Sequence, residues 1–345
     1  MKKVLLIVGL LLCVVGSVNA AEKYRMAWSH YTGWEPWGYA YDKGIIKKWA
    51  DKYGIEIEVT LVNDYIESIN MFTAGHFDAC TMTNMDALTI PSVGGVDTTA
   101  LIVGDFSNGN DGIAMKKGGV VKDLKGRKIM LVELSVSHYM LARALDMNGL
   151  AERDVKLVNI SDAEIASAFI SDPNAAVVTW NPPLQQVRNS KGAKLVFDSS
   201  KIPGEIIDIL SVKTNAPDKL KKALTGAWYE TMGIMSGRNK QSKESLQLIA
   251  QQAGATLAEL KSQLKTTAMF YDAGKASHFT KSADLKKTMD HVRTFSFDRG
   301  LYGSGASSKD LVGIEFPDKM VLGDKKNIKL RFDATYMEAT TTGKL

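Results

Sequence analysis

The hydrophobic pattern along the chain changes period repeatedly, and the changes mark its elements. A short strand-like run, Tyr24–Trp28, precedes Ala40–Tyr53, where apolar positions recur at helical spacing. Glu56–Leu61 alternates as a half-buried strand does. Tyr65–Thr73 reads as a helix with Gly75 at its C-terminal cap, and Asp78–Met82 as a short buried strand. Asp86–Ile90 reads as a short helix stopped by Pro91. Thr98–Val103 is a strand that runs into a loop, Gly104–Gly112, rich in glycine and in side chains that accept hydrogen bonds. The rhythm repeats in strand Lys128–Val132, helix Tyr139–Asn148 and strand Val155–Asn159. Ser161 and Glu164 then have capping-box spacing, followed by a helix ending before Pro173. Strand Ala175–Thr179 ends at Trp180-Asn181-Pro182-Pro183, because consecutive prolines cannot continue a ladder. Leu195–Phe197 and Ile206–Lys213 are extended. From Pro217 the pattern is helical over Lys219–Ser236, Ser242–Gln252, Thr256–Thr266 and Ala283–Arg299, with one further strand at Ile328–Phe332. Alternating strands and helices predict an α/β protein of mostly parallel sheets flanked by helices.

Residues 1–20 stand apart from this pattern. Lys2 and Lys3, the apolar run Val4–Val15 and the small-residue site Val18-Asn19-Ala20 read as a cleaved signal peptide. The chain after it is expected to be exported. Cys13 leaves with the leader, so Cys80 alone remains and no internal disulfide is possible. The formal net charge is +5, and Lys2 and Lys3 account for two of those charges. Scattered lysine pairs and the lack of an arginine stripe with interleaved aromatics argue against a nucleic-acid partner.

Ligands of open α/β sheets bind at the carboxyl ends of the strands, so the strand-end loops hold the candidate site. Trp28–Tyr41, WSHYTGWEPWGYAY, carries three of the six tryptophans and offers the faces of Trp34 and Trp37. Asp86 follows the next strand, and Asp105 and Asp111 sit in the glycine-rich loop. The second unit offers Glu133, Ser137, His138, Trp180 and Asn181, and Asp208 lies near the return of the chain. His138, at a helix start, is placed either to bond a ligand or to cap the helix. The five histidines are scattered, with no metal-ligand spacing, and no Ser-His-Asp order, P-loop or GxGxxG appears. No cofactor is expected.

The stretch YTGWEPWGYAYDKGIIKKWADKYGIEIEV resembles the opening of the periplasmic solute-binding proteins of nitrate, sulfonate, taurine and thiamine-precursor importers. AGHFDACTMTNMDAL, DLKGRKIMLVELSVSHYMLARAL, DVKLVNISDAEIASAF and AAVVTWNPPL agree in order. GWEPWGYAYDKGI most resembles the urea-type subgroup that accompanies urea or guanidine carboxylase systems. The resemblance implies a two-lobed periplasmic-binding-protein fold, type II-like, with the ligand in the cleft between the lobes. Lobe one would be residues 22–112 plus 213–345 and lobe two 113–212, with crossings near Gly112–Lys116 and Ser211–Thr214. It also implies a monomer that delivers its ligand to an ABC importer permease in the inner membrane. Some relatives of this fold are thiamine-pyrimidine enzymes, but those use histidine, iron and a cysteine-rich motif.

The strand-end loops hold many acids and almost no arginine. A desolvated carboxylate beside an anion is costly, so this pattern favours a small cation or an uncharged donor-rich molecule. Guanidinium fits first and urea second; nitrate, taurine or another sulfonate is the alternative within the same class. Asp86 and Glu133 stand out as the acids placed to meet the ligand.

Overall fold

A computed structural model describes residues 21–345. The leader expected over residues 1–20 lies outside them. Among the described residues, thirteen strands build two sheets. The strands are β1 Glu22–Trp28, β2 Ile55–Leu61, β3 Ala79–Thr83, β4 Thr98–Phe106, β5 Asp111–Met115, β6 Lys128–Leu131 and β7 Lys156–Asn159. They continue as β8 Ala176–Trp180, β9 Lys194–Asp198, β10 Ile207–Lys213, β11 Gly313–Glu315, β12 Val321–Leu322 and β13 Ile328–Phe332. The first sheet runs β12-β11-β13-β4-β10-β3-β1-β2, and the second β7-β6-β8-β5-β9.

Both sheets are mixed: each receives an antiparallel strand directly after the chain crosses over, and β12 adds another at the edge of the first sheet. β10 runs antiparallel to β3 and β4, and β5 antiparallel to β8 and β9. The crossings therefore fall at 107–110 and 199–206, and β10 belongs to the first sheet. This corrects the expected boundaries, since the apolar run of β10 pairs with β3 and β4 rather than closing lobe two.

Several local expectations shift for identifiable reasons. The first helix starts at Glu35, not Ala40, because Pro36 supplies a preset φ in the first turn. It ends at Asp42, and Gly44, at φ 71, separates it from a second helix, Ile45–Lys52. Pro91 sits inside a π-helical turn, Leu88–Ser92, rather than stopping a helix. The Ser161 hydroxyl donates to Asp64 Oδ2 at 2.9 Å, so the capping box at that helix does not form. Helices Ala273–Thr280 and Thr335–Thr341 lie in stretches whose pattern announced no helix. Among the described residues no helix is long and apolar enough to cross a membrane.

The long helix Asp218–Ser236 covers the first sheet and buries Trp228. That ring stacks on Trp37 at 4.8 Å and 27° between planes, which fixes the helix Glu35–Asp42 against the core.

Candidate functional site

The carboxyl ends of the parallel strands of both sheets meet across the crossings, and a small, tightly walled cavity lies between them. Tyr31 and Trp34 reach it from the segment after β1, Thr83 from the end of β3, and Tyr65 from the start of helix Tyr65–Thr73. Ile206 and Asp208 come from the return crossing and β10. The second sheet contributes Asp111 at the start of β5, Val136 after β6 and Trp180 at the end of β8. Four rings thus wall the space. Trp34 lies 4.9 Å from Tyr31 and 5.5 Å from Tyr65, and Trp180 meets Tyr65 edge-on at 5.4 Å.

Four buried carboxylates converge on this aromatic box. Asp111 and Asp208 face the cavity; Asp105 and Asp86 stand behind it, each receiving a tyrosine hydroxyl. Tyr31 donates to Asp105 Oδ1 at 2.9 Å, and Tyr65 to Asp86 Oδ2 at 2.6 Å. Asp86 also accepts the Thr83 hydroxyl at 2.9 Å and the Val136 N–H, across the lobes, at 3.3 Å. Ser107 donates to Asp111 Oδ2 at 2.5 Å. Asp105 and Asp208 are directly opposed partners in the β4–β10 ladder, and one oxygen of each has no hydrogen-bond partner. Among the described residues that line the cavity there is no lysine, arginine or histidine.

Like charges placed directly opposite in a sheet repel, and burial disfavours the charged form of any carboxyl. Burial accordingly pushes Asp86 up to about 6 and Asp105 and Asp111 up to about 7. It drives Asp208 well above the ordinary value of 3.8, with the charges of Asp105 and Asp111 adding to the effect. Such a set must be neutralised by protons or by a cation. The acids are not grouped for a metal: among the described residues no three His, Cys, Asp or Glu side chains are arranged to hold one.

Gly33 makes the arrangement possible. A Cβ there would stand 2.1 Å from Asp105 Oδ2. Gly33→Ala is expected to displace Asp105, at a cost of about 1–3 kcal/mol in stability, and to abolish ligand binding at this site. A melting curve and an affinity unchanged from wild type would contradict that.

Lobe-to-lobe hydrogen bonds close the cleft around the cavity. Tyr65 N–H donates to Asp162 Oδ1 at 3.1 Å, and Trp180 Nε1 to the His30 carbonyl at 3.0 Å. Asn181 takes part through its backbone, its carbonyl accepting the Thr32 N–H at 3.3 Å.

The expected site residues thus divide. Trp34, Asp111, Trp180 and Asp208 line the cavity, Asp86 and Asp105 stand directly behind it, and Asn181 adjoins it at the end of β8. Four others do not join it. Glu133 is exposed at the loop surface, where only its backbone N–H is engaged, with Asn159 Oδ1 at 3.0 Å. Trp37 is consumed in the stack with Trp228. The His138 ring turns back on its own loop, accepting the Leu134 N–H at Nδ1 at 3.1 Å. Ser137 is buried, with its hydroxyl among the groups lacking a partner, and does not line the cavity. With Glu133 outside the cluster, Glu133→Gln is expected to leave affinity at this site within about twofold of wild type; a loss of tenfold or more by calorimetry would return Glu133 to the site.

Tyr31, Tyr65, Thr83, Val136 and Ile206 were not singled out from sequence. Tyr65 carried a usable signal: it follows the N-cap Asp64 just after β2, and so lies at a strand's carboxyl end. Asn110, buried in the first crossing, has neither side-chain atom hydrogen-bonded.

The two-sheet architecture is the periplasmic-binding-protein fold. Solved structures with this fold include the alkanesulfonate-binding protein SsuA of Xanthomonas axonopodis pv. citri bound to MOPS, at TM-score 0.67 and 16% identity over 83% of this chain and 96% of that one. The periplasmic nitrate-binding protein NrtA of Synechocystis PCC 6803 matches at TM-score 0.57 and 13% identity, over 94% and 99% of the two chains. A Candida albicans protein described as having the generic periplasmic binding protein fold matches at TM-score 0.62 and 13% identity, over 84% and 92%. Residues 47–215 match the family model described as NMT1/THI5 like. No curated protein matches the sequence.

Proposed function

We propose that the protein is the periplasmic solute-binding component of an ABC importer, and that its solute is guanidinium, with urea second. One observation carries the choice of solute: buried carboxylates converge on an aromatic cavity whose lining has no basic side chain. Guanidinium is planar, carries N–H donors on every edge, and presents a cationic face to Trp34 or Trp180. Urea keeps the shape and the donors without the charge. Taurine would bring a sulfonate against Asp111 and Asp208.

The fold shared with sulfonate- and nitrate-binding proteins supports the transport class, while the charge of the cavity argues against an anion here. The protein works as a monomer that binds its solute and passes it to an inner-membrane permease for nitrogen uptake, and it performs no chemistry on the solute. Entry requires the lobes to part, breaking the Tyr65–Asp162, Trp180–His30 and Val136–Asp86 bonds.

Calorimetric titration with guanidinium, urea, taurine and nitrate in turn tests the reading: guanidinium binds most tightly, urea less, and the anions give no heat. Tight nitrate or taurine binding would overturn it. Trp34→Ala is expected to weaken guanidinium binding roughly tenfold or more, since a desolvated cation–π contact contributes about 2 kcal/mol. An unchanged affinity would remove the stacking role.

A further inference from the structure

The loop between β6 and helix Val136–Met147 supplies one wall of the cavity through Val136, and its backbone is unusual. Leu134 has φ 61, in the left-handed region that a residue with a Cβ enters only at a cost. Its side chain is 49% exposed, so burial of that side chain does not offset the cost. The loop is held by side chains that accept its N–H groups. Leu134 N–H donates to His138 Nδ1 at 3.1 Å, and Val136 N–H to Asp86 Oδ2 at 3.3 Å. His138 is itself buried, with Nε2 3.3 Å from Glu152 Oε2. An Nδ1 that accepts leaves the proton on Nε2, where it donates to the Glu152 carboxylate. The ring is thereby fixed in the one tautomer that can receive the strained amide.

We propose that His138 is a positioning residue for the cavity: by accepting the Leu134 amide it stabilises the left-handed turn that carries Val136 and its N–H onto Asp86. The lobe-two wall of the ligand site then exists before the ligand arrives. This inference rests on the binding reading of the cavity.

The test combines hydrogen exchange on the ligand-free protein with calorimetric titration of guanidinium chloride. His138→Ala is expected to expose the Leu134 amide and to weaken guanidinium binding roughly tenfold. His138→Asn keeps an acceptor on Cγ where Nδ1 was, and restores both protection of Leu134 and affinity to within about threefold of wild type. Leu134→Gly, introduced into His138→Ala, restores affinity by a different route, because glycine adopts the left-handed conformation without a tether. A merely structural role for the imidazole would not respond to a glycine four residues away. His138→Ala with wild-type affinity overturns the proposal, and so does a loss that neither His138→Asn nor Leu134→Gly repairs. If wild-type protein gives no heat with guanidinium, the ligand reading fails by itself. The exchange arm then decides the tether alone, and an unchanged Leu134 amide in His138→Ala rejects it.

Discussion

Asp208→Asn is expected to raise the melting temperature of the ligand-free protein at pH 8 while weakening guanidinium binding at least about thirtyfold. Both effects follow from the β4–β10 pair. Asp208 and Asp105 face each other across the ladder, both fully buried, each with an oxygen that nothing satisfies. Without a cation the pair must hold a proton or endure repulsion. The asparagine removes one charge and gives Asp105 an N–H donor in its place, so the empty site is relieved. A gain of about 1–2 kcal/mol corresponds to a rise of only roughly 1.5–3 °C in a chain of 345 residues. The same change takes from a guanidinium one of its desolvated charge partners, whose loss typically costs about 2–5 kcal/mol. A structural carboxylate would give the opposite combination, a lower melting temperature with affinity intact. Scanning calorimetry with and without guanidinium separates the two.

The second large effect is on pH dependence, and the stability of the empty protein and its affinity should run in opposite directions. Asp86 rises to about 6 and Asp105 and Asp111 to about 7, all from burial, against 3.8 for an ordinary aspartate. These folded-state values lie above the unfolded ones, so the folded protein binds more protons than the unfolded chain between them. The contribution of these groups is fully present below about pH 4 and is lost as pH rises through 6 to 7. For Asp111 alone the difference between 3.8 and about 7 amounts to on the order of 4 kcal/mol by pH 8. Guanidinium needs the ionised forms, so its affinity should rise over the same interval. Melting temperatures measured from pH 4 to 9, with and without guanidinium, check both limbs. A ligand-induced stabilisation that grows toward acid pH would contradict the account.

The site was partly legible in the sequence because strand ends are legible. Asp105, Asp111, Trp180 and Asp208 were marked by their position at the end or start of an extended run, and the structure gathers those four around one cavity. Glu133 met the same criterion and lies outside, exposed. Position at a strand end does not fix where a side chain points, and the left-handed Leu134 turns that loop in a way no hydrophobic pattern announces. Trp37 shows the converse limit. One turn along the helix from Trp34, it belongs to the stack with Trp228, a partner nearly two hundred residues away whose packing a local pattern cannot display. The antiparallel strands β5 and β10 escaped for the same reason, since an apolar run reads alike in either direction.

The central claim is that a cation takes the place of protons among Asp86, Asp105, Asp111 and Asp208. Titrating guanidinium near pH 6.5 in two buffers of different ionisation enthalpy measures that exchange directly. Net proton release is expected on guanidinium binding at pH 6.5, shrinking as pH rises past 7 and Asp105 and Asp111 ionise in the empty protein. Guanidinium binding without proton release at pH 6.5, or nitrate binding accompanied by proton uptake, would contradict it.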